Sequence, residues 1–272
     1  MNYVYVYGQQ PVPYWNVGDY IQSIAALQFL DDAQYVDRDV MDITEGNIIM
    51  NGWHWHKSPQ LSMSINPLIT SFHINSTSLK MLDEHVDFFK KHEPIGCRDA
   101  FTVRQMRNRG IEAFFIGCLT MTLGLSWKHN PQKGLFVCND INHLHGWKDA
   151  EKYFDQLVNP LRITSNMVGM DHTERFERAK HFLDILSQAE CVVTSRLHTL
   201  LPCLAMGTPV VFVDQFENRE SDQCRLEGLI DHGVIARHPD ELEYKIEEAK
   251  EHKVNFSDNI ELFCSEIRKT FK

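Results

Sequence analysis

Three short segments hold side chains that could do chemistry on a small anionic ligand. In Thr194-Ser195-Arg196-Leu197-His198 an arginine and a histidine stand two residues apart, directly after the apolar run Cys191-Val192-Val193. Arginine presents a planar fork of donors that suits a carboxylate or a phosphate. Histidine donates or accepts a proton near neutral pH. Gly96-Cys97-Arg98-Asp99 has the same design: an apolar run, an arginine, then an aspartate placed to cap a helix. By itself it reads equally as a structural Arg–Asp pair. Asn16-Val17-Gly18-Asp19 precedes the first helical pattern. There Gly18 permits close backbone approach, and Asp19 is expected as the N-cap beside amides that suit an anion. That motif taken alone favours the plain cap.

These residues need elements that bring them together. Short β-rich runs alternate with helical patterns along the whole chain. Strands are expected at 4–7, 47–50, 68–74, 94–97 and 111–116, then at 135–138, 163–168, 191–194 and 209–213. Helices are expected at 19–30, 75–91, from Asp99 to Gly110, 172–188, after Thr194 to Met206, 239–252 and 259–271. Such alternation implies parallel sheets with helices on both faces, in which ligands bind at the carboxyl ends of strands. All three segments are strand-to-helix turns of that kind. The polar stretch Ser126–Lys133 is the best linker by composition. It divides the chain into an N-terminal half, 1–127, and a C-terminal half, 128–272, whose last helix is placed to pack back on the first half. The expected class is therefore α/β, with two Rossmann-like domains facing a central cleft.

Composition narrows the ligand. A formal charge of −10 excludes the basic footprint of a nucleic-acid-binding protein. No stretch reaches the ~20 apolar residues that a membrane span needs, and the N-terminus lacks the basic and apolar regions of a signal peptide. The cytoplasm is the expected compartment. The seven cysteines are scattered, form no C-x-x-C pair and read as reduced thiols. No metal site is expected, although His54 and His56 could share one face of an extended segment.

Other residues stand as secondary candidates. His73 closes a strand where a cleft residue would sit, and could contact donor phosphate or acceptor. Trp53 and Trp55 could stack on a sugar, but core packing explains them as well. His143 and His145 follow a strand, where solvation accounts for them equally. Asp214-Gln215-Phe216-Glu217 follows another strand and has the character of a sugar-hydroxyl contact.

NVGD before a helix, IGCRDAFTVRQMRNRGIEAFFIGC, and above all VVTSRLHTLLPCLAMGTPVVFV resemble the polysaccharide pyruvyl transferase family in order and spacing. The resemblance implies a GT-B-like arrangement and no inherently required metal or cofactor. It implies phosphoenolpyruvate as the donor substrate and a sugar acceptor, free, nucleotide-linked or lipid-linked, that becomes a pyruvate ketal. Arg196 and His198 match the family's Arg-x-His and are the expected catalytic residues; Arg98 matches its RD arginine and is an expected substrate-binding residue, to which the reading of the turns and strand ends adds Asp19, Gly18, His73 and Ser195. Two other readings share the scaffold: a glycosyltransferase using a nucleotide sugar, and a non-catalytic sugar- or anion-binding protein. Oligomeric state is open.

Overall fold

The computed structural model describes residues 1–7, 15–54, 59–141, 155, 158–214 and 223–271. Residues 55 and 56, 143 and 145, and 215–217, named above as candidates, lie outside the described residues.

The first half builds a six-stranded parallel sheet. Its strands are β1 (Asn2–Val6), β3 (Gln34–Asp37), β4 (Gly46–Trp53), β5 (Ile65–His73), β6 (Ile95–Cys97) and β7 (Ala113–Phe115), in the order β3-β1-β4-β5-β6-β7. Around it lie α1 (Val17–Leu27), α2 (Leu79–Glu84), α3 (Val86–Lys91) and α4 (Ala100–Arg107). The second half builds a five-stranded parallel sheet from β8 (Phe136–Asn139), β9 (Leu161–Ile163), β11 (Cys191–Thr194), β12 (Val210–Val213) and β13 (Val234–Ala236), ordered β13-β12-β11-β8-β9. Its helices are α5 (His172–Gln188), α6 (Leu197–Met206) and α7 (Leu242–Glu251); α8 (Ser257–Thr270) closes the chain. Each sheet begins one strand in from an edge, places its second strand at that edge and adds the rest on the other side. The reversal falls between β1 and β4 in one sheet and between β8 and β11 in the other. At such reversals the connections diverge and leave a crevice at the carboxyl ends of the strands.

Local sequence explains most boundaries. Asp171 opens α5 with a capping box, accepting from the Glu174 amide while Glu174 reaches back to the Asp171 amide. Gly207 stops α6 in the left-handed conformation that only glycine adopts without cost. The expected helix 75–91 is instead a 3-10 turn at Ser76–Ser78 followed by two short helices that break at His85. The expected strand 163–168 is also two pieces, β9 and β10 (Asn166–Met167).

Several contacts fix the halves against each other. β2 (Trp15–Asn16) pairs antiparallel with β10, and the Val17 amide donates to the Ser165 carbonyl at 2.7 Å. Arg175 of α5 lies over the Trp15 ring at 3.5 Å and donates to Tyr20 Oη. A 3-10 segment, Leu119–Leu125, packs on α6 so closely that a Cβ at Gly124 would lie 2.1 Å from the Ala205 carbonyl oxygen. Only glycine allows that approach. One apolar cluster accordingly takes in Ile21, Leu123, Leu183, Leu201 and Phe263 together. Residues 127–133 have no regular structure but are pinned: the His129, Asn130 and Gln132 amides donate to the carbonyls of Met206, Ser187 and Gln188. The last helix, α8, meets the first half through Asn259, which donates to the Ile116 carbonyl, and Thr270, whose carbonyl accepts from Asn66.

Candidate functional site

The turn after β11 is shaped by Pro202. A proline inside a helix lacks an N–H, and its ring crowds the carbonyl four residues earlier, here that of His198. His198 accordingly leaves helical geometry, with φ −82° and ψ 19°. The kink sets the imidazole at the start of α6, where the amides of Leu197 and His198 have no preceding helical carbonyl to bond. Buried Leu197, Leu200, Leu201 and Leu204 anchor the helix behind it, each contributing roughly 1.5–3 kcal/mol.

Arg196 is held from the side. Its Nε donates to Asp140 Oδ2 at 3.0 Å, and its amide donates to Thr194 Oγ1. Among the described residues its terminal guanidinium nitrogens have no partner, and the side chain is one-third exposed at 33%. Asp140 follows β8 with φ at 51°, a conformation uncommon outside glycine, and also accepts from the Ser165 amide. Burial works against its charge, but Arg196 and the Ser165 bond hold the carboxyl below its ordinary range. Asn139 braces the same turn by accepting from the hydroxyls of Thr194 and Thr199. Ser195 is buried, and its hydroxyl donates to the Asp140 carbonyl. That bond ties the turn after β11 to the turn after β8.

The first half closes the site from the other side. Asn16, not Asp19, caps α1, its side chain accepting from the Gly18 amide at 2.8 Å. Two cap-type residues stand three apart, and the chain starts its helix at the earlier one because β2 ends there. Asp19 is thereby freed from capping. It lies among the charges of Arg38, Arg225 and Arg98, and burial still raises its carboxyl above the ordinary range. A Cβ built on Gly18 would lie 2.9 Å from His198 Cβ and 3.1 Å from its Nδ1. Gly18 and His198, 180 residues apart, are therefore in direct contact. The cleft between them is lined by Asn16, Val17, Gly18, Ser165, Arg196, Leu197, His198, Thr199 and Arg225.

Deeper lies the turn after β6. Asp99 caps α4, accepting from the Thr102 amide and hydroxyl, and accepts from His73 Nδ1 at 2.5 Å. That bond puts the His73 proton on Nδ1, because a carboxylate only accepts. His73 is thus joined to Asp99 through this nitrogen. Arg98 is 1% exposed, and its nearest partner is Asp99 Oδ2, 3.7 Å from Nε and too far for a hydrogen bond. A buried guanidinium whose Nε has no hydrogen-bond partner is costly unless an anion completes it.

Among the other residues singled out, His54 is buried, stacked on Phe72 at 4.5 Å and bonded through Nδ1 to the Gly52 carbonyl. Trp53 lies under Arg38. All seven cysteines are free, and six of them are buried. Sequence reasoning did not single out Asn16, Asp140, Ser165 or Arg225. Asp140 follows a strand end, the one signal that could have drawn it out.

Burial and the arginines also set the protonation states. Burial, then Arg98 and Arg225, hold the His198 imidazole well below its usual range; burial and Arg98 push His73 down to about 4. Both are neutral at pH 7. Between pH 6.5 and about 4 the unfolded chain binds a proton at His73 that the folded protein refuses, so stability falls as pH falls through that window. This one group accounts for about 3 kcal/mol. His54 and His198 act with the same sign, and the raised carboxyl of Asp19 acts against them. The melting temperature is expected to drop steeply from pH 6.5 to 4, and less steeply in His73→Gln. Equal slopes for the two proteins would contradict this account of His73.

Comparison with known proteins adds an independent line. The family model described as polysaccharide pyruvyl transferase matches residues 16–215. No curated protein matches the chain. A crystal structure of an uncharacterized protein from Klebsiella pneumoniae subsp. pneumoniae aligns with a TM-score of 0.46 at 13% identity, covering 86% of this chain and 92% of that one. Among the described residues, no helix is long and apolar enough to cross a membrane.

Proposed function

Because the chain belongs to the polysaccharide pyruvyl transferase family, we propose that it moves the pyruvyl group of phosphoenolpyruvate onto two hydroxyls of a sugar, forming a pyruvate ketal on a surface polysaccharide or its precursor. The observation that carries this reading is that two arginines act on one histidine: Arg196 lines the same cleft as His198, and the charge of buried Arg98, whose Nε has no hydrogen-bond partner among the described residues, reaches His198, whose own Nε2 is likewise without one. A donor with a carboxylate at one end and a phosphate at the other calls for such an arrangement. In this reading the halves 1–127 and 128–272 are two Rossmann-like, GT-B-like domains, the cleft between them is the active site, and the enzyme works in the cytoplasm.

Ketal formation begins with a proton added to the methylene carbon, which makes C2 electrophilic. One sugar hydroxyl bonds to C2, and the second then displaces phosphate. Two hydroxyl protons are lost and one proton is gained by carbon, so the net proton leaves with the phosphate. His198 is the proton donor or steadies the departing phosphate. Burial, then Arg98 and Arg225, keep its imidazole neutral, and an incoming polyanion offsets the arginine charges and favours the charged form. Asp19, a carboxylate of raised basicity beside Gly18, is suited to draw the proton from an acceptor hydroxyl. Gly18 keeps the imidazole close, and Ser195 keeps the loop that carries Arg196.

The test is incubation with phosphoenolpyruvate and a panel of free, nucleotide-linked and lipid-linked sugars, following phosphate release and product mass. Acceptor-dependent phosphate release, with a product heavier by pyruvate less water, is the expected result. Release of a nucleotide from a nucleotide sugar without phosphoenolpyruvate would establish a glycosyltransferase instead. Binding without turnover of any donor would leave a non-catalytic scaffold.

A further inference from the structure

The segment between β12 and β13 brings another arginine to the cleft, from beyond the matched stretch 16–215. We propose that Arg225 is a third anion-binding residue of this site, and that it holds the phosphate end of the donor together with Arg196. The proposal rests on the pyruvyl-transfer reading for the donor's name, but its claim is phosphate recognition.

Placement is the first argument. Arg225 lines the same cavity as Gly18, Arg196 and His198, next to the opening amides of α6. Its charge is also felt at Asp19, His73 and His198, so it faces the residues of both halves at once.

The segment that carries Arg225 is also held in place from both sides. Leu226 and Leu229 are buried in the apolar cluster. Glu227 accepts a fork from Arg104 of α4, at 2.7 and 3.0 Å, and its carbonyl faces the Ala100 amide. α4 is the helix that Arg98 and Asp99 open. The segment carrying Arg225 is therefore tied to the element carrying Arg98, which fixes the two arginines relative to each other.

Charge supplies the third argument. Phosphoenolpyruvate brings about two negative charges on its phosphate and another on its carboxylate. Arg98 and Arg196 leave part of that uncompensated, in a chain of net charge −10. Arg98, enclosed at 1% exposure, suits the smaller carboxylate. The cleft that Arg196 and Arg225 line, at a helix N-terminus, suits the phosphate.

The experiment is calorimetric titration of phosphoenolpyruvate, inorganic phosphate and pyruvate into wild type, Arg225→Ala and Arg225→Lys, with melting curves of each unliganded protein to confirm folding. Arg225→Ala is expected to bind phosphoenolpyruvate and phosphate about 10- to 100-fold more weakly. Pyruvate binding should be unchanged, and Arg225→Lys should recover part of the loss. A folded Arg225→Ala protein that binds phosphate as wild type does overturns the proposal. So does a wild type that phosphate does not bind. A wild type that binds phosphate but not phosphoenolpyruvate overturns the pyruvyl-transfer reading, and the phosphate titration then decides on Arg225 alone.

Discussion

Arg98→Met is expected to leave the protein as stable as wild type or more so, while lowering kcat/KM for phosphoenolpyruvate by about 10²- to 10⁴-fold. The two effects have one cause. The guanidinium is 1% exposed, forms no hydrogen bond through Nε, and meets Asp99 only at 3.7 Å. Replacing such a charge by an apolar side chain of similar length often stabilises a fold by about 1–4 kcal/mol. Asp99 would not be orphaned, because it keeps His73 and both Thr102 donors. What is lost is the charge-assisted pair to the donor, at roughly 1.5–3 kcal/mol per bond. Melting curves and steady-state kinetics on the same preparation give both numbers. His73 and His198 should also titrate higher, since Arg98 is the next-largest cause, after burial, of their lowered values. A variant that melts well below wild type yet keeps its activity would make Arg98 a structural residue.

Much of this site could be read from sequence because it sits where strong local signals end. The apolar run Cys191–Thr194 and the stop at Gly207 bound the Arg196–His198 turn without ambiguity, and the structure places that strand and helix at those residues. The same holds for Arg98, between a buried strand and a capping aspartate. Long-range capture was not legible. His73 meets an aspartate 26 positions away. β2 and β10 are two-residue strands with no periodicity to detect, yet they seat α1 beside the second half. Asp19 shows the limit most plainly. Asn16 and Asp19 are both good caps, and only the end of β2 decides between them. Arg225 belongs to no regular element, so neither period nor motif marks it; the Glu227–Arg104 tie that holds it spans 123 positions.

Contact between Gly18 and His198 yields the sharpest expectation about the reacting centre. His198→Ala should lower kcat by ~10²–10⁴-fold without unfolding the protein, since a positioned acid–base group contributes about that much. Gly18→Ala approaches the same group from the opposite half. Gly18 is the second residue of α1, where alanine gains less than the ~1 kcal/mol it has over glycine in a helix interior, so propensity favours the change only weakly. The new Cβ, however, would stand 2.9 Å from His198 Cβ, an atom close to the backbone that cannot swing aside. The start of α6 must yield by several tenths of an ångström, taking the imidazole with it. Displacement on that scale costs up to about 10²-fold in rate, while the small gain in propensity offsets part of the strain, so the melting temperature falls only slightly. Because Gly18→Ala acts through His198, the two changes should not add. In a His198→Ala background the glycine substitution is expected to cost less than about tenfold in kcat, the remainder coming from movement of Arg196. Full additivity would show that the crowding at Gly18 disturbs something other than the histidine, and a folded, fully active His198→Ala protein would remove the histidine from the chemistry altogether.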